Sequence, residues 1–573
     1  MTSTASQTDQ SAEGGSGEWA PLERAAFAAQ ALLLVSAAFR NLGSLNTDAV
    51  AYIRIAGYFA EWNTELMISG YWGPLLSWLM VPFRWLGMDG VPAARVAMIL
   101  SGVVFLFGSR AVFVSLGLDR RSRITGGWIA AAFSVFWSVR HITPDLLLAG
   151  LMGGAIAGVM DRSWVTSRKA AALAGVAWGL AYYSKAIAFP LAILSTATGA
   201  ALVWFSGGTK AKEALRQATW TLATFAALAG PWMLVLSLKY GGPTFSTSGR
   251  INHAIAGPPD VERYHPFAKV LHRPDRGRVT QWEDPSEMDY NFWSPFDNAS
   301  AARHQAGIVV ENVPKVVNYF GGVNVAHLLR SNFVVSARDL FVLIPGFDLL
   351  YLPLIGLVGC LVMRGGIRER LRSERWRWAV VPVILMGGLY LPVYLRSDDL
   401  RYFYPAFPFV WVAVVGGGVG LAERFGKGAD DAKAWALRIS TASFALPAAI
   451  WLLAALVGIP NAGNAFAKEL AERMKRAGLS GPIAGSATLQ GGRAGLYTAF
   501  HLGEPWLGDD EIAGAGEFAG SGAEYVIATV FDSRIESIAR DERFEDATSA
   551  LFAPEEQEIL PLRVFRRSGA VVD

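Results

Sequence analysis

Asn46-Thr47-Asp48-Ala49-Val50-Ala51-Tyr52 follows the first apolar block of the chain and sets a carboxylate just beyond that block. An acid so close to a bilayer boundary, beside amide and aromatic groups, reads as a site. The rest of the sequence reads as a scaffold that holds Asp48 at a membrane surface and brings cationic side chains to it.

The 573 residues are 52% hydrophobic and 17% charged, against roughly 25% charged in an average soluble protein. The apolar excess comes in blocks of about 17–23 residues, long enough to cross a bilayer as helices. The expected fold class is therefore a polytopic, all-α membrane protein of about eleven transmembrane helices with juxtamembrane helices. A small soluble α/β domain follows at the C-terminal end. The net charge of +3 says nothing about partners. Cys360 is the only cysteine, which leaves no disulfide within one chain and no cysteine-based metal site. Residues 1–20 are rich in Ser, Thr, Gly and Gln without periodicity and read as a disordered tail. They lack the basic start of a signal peptide, so the apolar segment after them reads as a retained helix.

Spanning helices are expected at 22–41, 94–116, 125–140, 144–161, 169–184, 186–206, 217–238, 341–362, 378–396, 402–422 and 439–459, within a membrane domain of 21–459. Gly73–Met88 is apolar but broken by Pro74, Pro82 and Arg84, and reads as a short helix at the interface. Basic residues fall on alternate connections: Arg120, Arg121 and Arg123; Arg162, Arg168 and Lys169; Lys210, Lys212 and Arg216; the arginine-rich run 364–377; and Arg424, Lys427, Lys433 and Arg438. With the N-terminus inside, all of them lie on the cytoplasmic side, as the positive-inside rule requires. The first outer loop (42–93), the 140–145 and 183–185 turns, the long outer loop 239–340, the 396–401 turn and the C-terminal part then lie outside. A connection as long as 239–340 is expected to be functional, and its Trp282-Glu283-Asp284-Pro285 and Tyr290–Phe296 runs suit a loop resting on the interface. In the C-terminal domain, 460–573, Ala465–Ala477 reads as an amphipathic helix, and Pro482–Gly485, Glu524–Val530 and Leu560–Phe565 read as strands.

The outer turns carry charge at helix ends, where Gly, Asn or Ser would be ordinary. Asp48 is either a helix-capping residue or a general base, since a carboxylate held out of bulk water can take a proton from an attacking hydroxyl. Asp145 follows Thr143-Pro144 and is either a capping residue or a second converging carboxylate. Lys185 is either a snorkelling lysine or a phosphate contact. Arg401, before Tyr402, can bind phosphate as a fork or pair with Asp398 or Asp399. Tyr52, Tyr71-Trp72-Gly73-Pro74 and Arg95 complete the set. All seven histidines fall on the outer side, and none has metal-ligand spacing. No phosphate-binding glycine loop follows a strand.

Taken in order, Asp48-x3-Tyr52, Tyr71-Trp72-Gly73-Pro74-Leu75 and Ala93-Ala94-Arg95 resemble the first outer loop of the GT-C superfamily of polytopic glycosyltransferases. The branch is the one holding protein O-mannosyltransferases and lipid A aminoarabinose transferase. Thr143-Pro144-Asp145-Leu146, Tyr183-Ser184-Lys185 and Arg401-Tyr402-x2-Pro405 resemble its later outer turns, so the likeness covers about residues 40–425. It implies an inverting enzyme of a bacterial inner membrane that moves a sugar from a polyprenyl-phosphate donor to a lipid, glycan or protein acceptor. By this analogy Asp48 activates the acceptor hydroxyl. Lys185 and Arg401 hold the donor phosphate, with Asp145, Tyr52, Tyr402 and Arg95 around them. No cofactor is demanded, a divalent cation is left open, and no nucleic acid is involved. One departure is that Ala49 follows Asp48 where the relatives show a second acid, which argues against protein O-mannosylation. A lipid-linked-glycan transporter or flippase, or a non-catalytic scaffold, is the competing class. A transporter would call for mid-span charges, which are scarce here.

The charge alternation fixes an orientation that can be measured. A C-terminal alkaline phosphatase fusion should be active in intact cells and an N-terminal one inactive. The reverse pattern would overturn the topology.

Overall fold

The structure, a computed structural model, describes residues 19–205, 210–258, 283–287, 292–321, 374–393, 400–459, 462–485, 491–509, 514–530, 532–557, 560 and 562–569. The expected span 341–362, Cys360, residues 364–373 of the basic run and Asp398-Asp399 lie outside those residues, as do 259–282, 288–291 and 322–340 of the long outer loop.

Every expected span that falls on described residues is a helix. They are α1 (Pro21–Arg40), α4 (Gly90–Ser115), α5 (Arg120–Arg140), α6 (Asp145–Met160), α7 (Arg168–Ser184), α8 (Ala188–Phe205), α9 (Lys210–Lys239), α12 (Glu374–Tyr390), α13 (Phe407–Arg424) and α14 (Ala429–Val457). Of these, α1, α4, α9, α13 and α14 are long and apolar enough to span by length and composition alone; α6, α8 and α12 contain shorter apolar helices. Between α1 and α4 lie two short helices, α2 (Thr47–Ala60) and α3 (Pro74–Trp85). The long outer loop contributes α10 (Ser248–Ile255) and α11 (Ala299–Gly321).

The interfacial reading of Gly73–Met88 fits α3. Pro74 opens it at a position where its missing N–H costs nothing, and Gly87 at φ +81° turns the chain out of it. Twelve residues reach only about 18 Å, well short of a bilayer core. Thr47–Ala60 differs from the expected loop by being helical. Its Ala49, Val50, Tyr52, Ile53, Ile55 and Ala56 are all buried, packed on α3 and α4, and such packing stabilises a helix too short to persist alone.

Helix α4 packs on α6, α6 on α7 and α7 on α9, while α5 packs on α1, α4 and α14. The first contact is set by missing side chains: a Cβ on Gly108 would lie 2.0 Å from the Gly150 carbonyl oxygen, and one on Gly150 2.4 Å from Val104 backbone. Close backbone approach of this kind is what holds helices together in a solvent as apolar as they are. Phe133 stacks on Trp137 with ring centroids 5.3 Å apart and meets Trp451 at 5.3 Å and Phe407 at 5.4 Å.

The C-terminal part adds α15 (Ala462–Arg476), α16 (Gly491–Leu502) and a five-stranded sheet of β1 (Ile483–Gly485), β2 (Trp506–Asp509), β3 (Tyr525–Thr529), β4 (Phe544–Asp546) and β5 (Leu562–Arg567), in the order β2-β1-β3-β5-β4. β1 runs parallel to β2 and β3, and β5 antiparallel to β3 and β4. β1, β3, β5 and α15 fall where the sequence places them; β2 and β4 are four and three residues long and too brief to show a period. α16 covers the sheet and touches α2. Leu496, Tyr497 and Trp506 therefore share one continuous apolar core with Ala49 and Tyr52.

Gly150→Val should separate α4 from α6 and lower the thermal midpoint of the purified protein, with a cost of about 1–3 kcal/mol. Gly154→Ala, at a glycine with nothing within 4 Å of the added methyl, is the control and should leave the midpoint unchanged.

Candidate active site

Asp48 sits in the first turn of α2, whose N-cap is Asn46. The capping position is therefore taken, and Asn46 spends its side-chain oxygen on the neighbouring turn, accepting from the Ile142 N–H at 2.8 Å. That bond ties the first outer loop to the turn that carries Asp145. The Asp48 carboxylate instead accepts from Arg401 Nη1 at 2.5 Å. Arg401 stands on a 3₁₀ turn, Leu400–Ala406, that leads into α13. The turn is locked from below: Tyr404 stacks on Trp137 at 3.9 Å between ring centroids, and Phe403 is fully buried beside Tyr390.

Asp145 is the first residue of α6, with Pro144 as its N-cap. Its side chain is 2% exposed, and it accepts from Lys185 Nζ at 2.6 Å while Arg401 Nε lies 4.0 Å away. Lys185 is the residue at the C-terminal end of α7. Its ammonium lies 4.4 Å from the Tyr402 ring centroid, and the Arg401 guanidinium carbon lies 5.4 Å from the same ring. A continuous chain of contacts thus runs Asp48–Arg401–Asp145–Lys185, two acids and two bases from four separate elements, with Tyr402 beneath both cations. Asp48 and Lys185 keep 20% and 27% of their side chains exposed, so the two ends of the chain are partly exposed while Asp145 is buried.

The first outer loop closes on this chain at Gly73. A Cβ there would lie 2.2 Å from the Ser184 carbonyl oxygen, one residue before Lys185. Tyr52, buried in α2, packs its ring against Trp72 at 5.2 Å, and the Ser77 hydroxyl donates to the Tyr52 carbonyl at 2.9 Å. Burial pushes the Tyr52 phenol well above its usual range, and Asp145 and Asp48 push it further. Burial also raises the Tyr71 phenol, with Tyr402 and Asp48 adding to it and a hydrogen bond from α10 through Asn252 opposing. Both tyrosines are neutral hydroxyls at any physiological pH and can donate hydrogen bonds to a ligand.

Arg95 stands apart from the charged chain. It is 2% exposed, and its guanidinium donates to the carbonyls of Asn41 at 2.8 Å, of Ser44, and of Val139 at 3.0 Å. Those bonds clamp the start of the Asp48 loop to the end of α5, a positioning task rather than one at an opening.

His141 passed without a role in the sequence. It follows α5, and burial drives its pKa down to about 3, with Arg401 and Arg140 acting in the same direction; it borders the cluster as a neutral ring. Its signal was its place in Arg140-His141-Ile142-Thr143-Pro144-Asp145. Arg54 and Glu283, described below, carried only the signal of a charge inside an apolar run and of an acidic pair before proline. Among the described residues no group of three or more His, Cys, Asp or Glu is placed to hold a metal ion.

No protein-family model matches the sequence, and no curated protein matches it. Solved structures do. The chain is similar to the oligosaccharyltransferase of Archaeoglobus fulgidus in the apo form, with a TM-score of 0.51 at 14% identity over 88% of this chain and 69% of that one. It is similar to ArnT from Cupriavidus metallidurans bound to undecaprenyl phosphate, with a TM-score of 0.53 at 16% identity over 96% and 98% of the two chains. The apo state of that ArnT gives 0.51 at 15% identity over 95% and 97%. At these identities the likeness is one of fold: the chain is a multi-pass helical bundle followed by a small C-terminal sheet, folded like these two proteins.

Lys185→Met leaves the buried Asp145 carboxylate without its closest cation. Breaking a buried pair costs roughly 3–5 kcal/mol, and the loss should fall toward the lower end because Arg401 remains 4.0 Å away. Lys185→Met/Asp145→Leu should recover part of it, read as thermal midpoints in detergent.

Proposed function

We propose that this chain is an inverting glycosyltransferase that moves a sugar from a polyprenyl-phosphate donor to an acceptor hydroxyl at the outer face of an inner membrane. The observation that carries the reading is the meeting of Asp48, Arg401, Asp145 and Lys185, distant in sequence, in one contact chain with both ends exposed. The fold shared with ArnT supports it, since that relative was solved with undecaprenyl phosphate bound.

In this reading the donor phosphate settles against Lys185 and Arg401, where charge-assisted hydrogen bonds are strongest and a guanidinium fork fits its oxygens. Asp145 holds Lys185 in place. Arg401 shifts part of its hydrogen bonding from Asp48 to the phosphate, which frees Asp48 oxygens toward the acceptor. The acceptor oxygen attacks the anomeric carbon from the face opposite the phosphate, and its proton passes to Asp48. The bond from that carbon to the phosphate oxygen breaks with its electron pair, and polyprenyl phosphate leaves with one more negative charge. Lys185 and Arg401 stabilise that charge as it develops. Tyr52 and Tyr402 shape the wall, and Arg95 acts one step back by clamping the loop. A single displacement inverts the anomeric configuration. The N-terminus lies in the cytoplasm and the C-terminal domain outside, following the basic residues.

Asp48→Asn should lower transfer by about 10²–10⁴-fold, the usual contribution of a general base, with the amount of membrane protein unchanged. A donor-transfer assay in detergent, where no transport can occur, separates an enzyme from a flippase. Wild-type product from Asp48→Asn would remove Asp48 from the chemistry.

A further inference from the structure

The helix that carries Asp48 also carries Arg54, the only ionic side chain of α2 besides Asp48 itself. Six residues along a helix amount to about 9 Å and a turn of roughly 240°, so Arg54 faces away from the charged chain. Its guanidinium joins three bodies. It donates to Glu283 Oε1 at 3.0 Å, to the Ala499 carbonyl at 3.1 Å and to the Glu504 carbonyl. Ala499 belongs to α16 and Glu504 follows it, so two of the partners are the backbone of the C-terminal domain. Glu283 is 2% exposed, and its other oxygen accepts from the Tyr58 hydroxyl of the same α2 at 2.8 Å. The next residue, Asp284, is also buried and accepts from Lys239 at 2.7 Å and from Tyr240 at 2.8 Å. The Glu283-Asp284 strap of the long outer loop is therefore pinned on one side to α2 and on the other to the end of α9. Lys239 and Tyr240 in turn hold Ile68 and Gly70, the residues that lead into Tyr71.

A buried carboxylate and a nearly buried guanidinium are costly unless each is fully met, so this arrangement holds α2 in one orientation. The Asp48–Arg401 bond holds the other end of the same helix. We propose that Arg54 is a positioning residue for the transfer reaction. Through it the C-terminal domain and the Glu283 strap fix the angle at which α2 presents Asp48, so the C-terminal domain is part of the catalytic apparatus and not a separate module. This inference rests on the reading of Asp48 as the base.

The test is steady-state transfer by the purified full-length protein with saturating polyprenyl-phosphate sugar. Arg54→Met should lower kcat on the order of 10²-fold, the usual penalty for displacing a reacting group by about 1 Å, while donor KM stays within twofold. Arg54→Lys, which keeps the charge but loses the fork, should fall between Arg54→Met and wild type. Arg54→Met/Glu283→Gln should be no worse than Arg54→Met, because residues in one network are not additive. A kcat within twofold of wild type for Arg54→Met, or a loss carried by KM alone, overturns the inference. If Arg54→Met gives no folded protein, Glu283→Gln and Tyr58→Phe decide: a lower kcat in both supports it, and wild-type kcat in both overturns it. Asp48→Asn run alongside separates the two failures. Its loss of activity beside an active Arg54→Met sinks only this inference, and an active Asp48→Asn sinks the reading beneath it.

Discussion

The structure depends on the pairing of opposite charges that the chain brings together from its ends. Asp48 follows the first span and Arg401 precedes one of the last, and they meet at 2.5 Å. Separately, each would be an uncompensated ion beside hydrocarbon, a state that costs several kcal/mol. Paired, they and the Asp145–Lys185 couple sum to zero formal charge. The bundle can therefore bring four ionic groups together at its helix ends, and the pairing links ends that are distant in sequence. Outer turns that would otherwise be interchangeable connections acquire a fixed arrangement.

The elements beneath the site are stiff for reasons independent of charge. Tyr404 on Trp137 fixes the Arg401 turn through an aromatic stack, the Gly108–Gly150 approach fixes α6 and hence Asp145, and Arg95 fixes the loop that delivers Asp48. Each side chain that reaches the opening is thus held by a contact that does not reach it. Groups aimed at developing charge act best when little reorganisation is needed at the moment of reaction.

Much of this was legible in the sequence, and the legible part has a physical signature. Apolar blocks and alternate basic connections gave the helices, because a bilayer penalises anything else. Asp48, Asp145, Lys185 and Arg401 stood out because ionic residues at outer helix ends are unusual. Their long-range partners were not legible: the Arg401–Asp48 contact joins residues 353 apart in sequence, and the neighbouring Asp398 and Asp399 lie outside the described residues. Arg95 had the composition of a ligand-binding arginine, but its donors go to main-chain carbonyls, a choice that no local pattern encodes. The helix at Thr47–Ala60 was missed because its stability comes from burial against α3 and α4 rather than from its own residues. Strands β2 and β4 were too short to alternate visibly. The Arg54–Glu283 pairing was not legible for the same reason as the Arg401–Asp48 pairing: each partner is ordinary until the fold supplies the other.

The contact of Gly73 with the Ser184 carbonyl makes two outer segments behave as one piece. Any side chain at position 73 would have to push the Tyr71-Trp72 segment and the Lys185 corner apart.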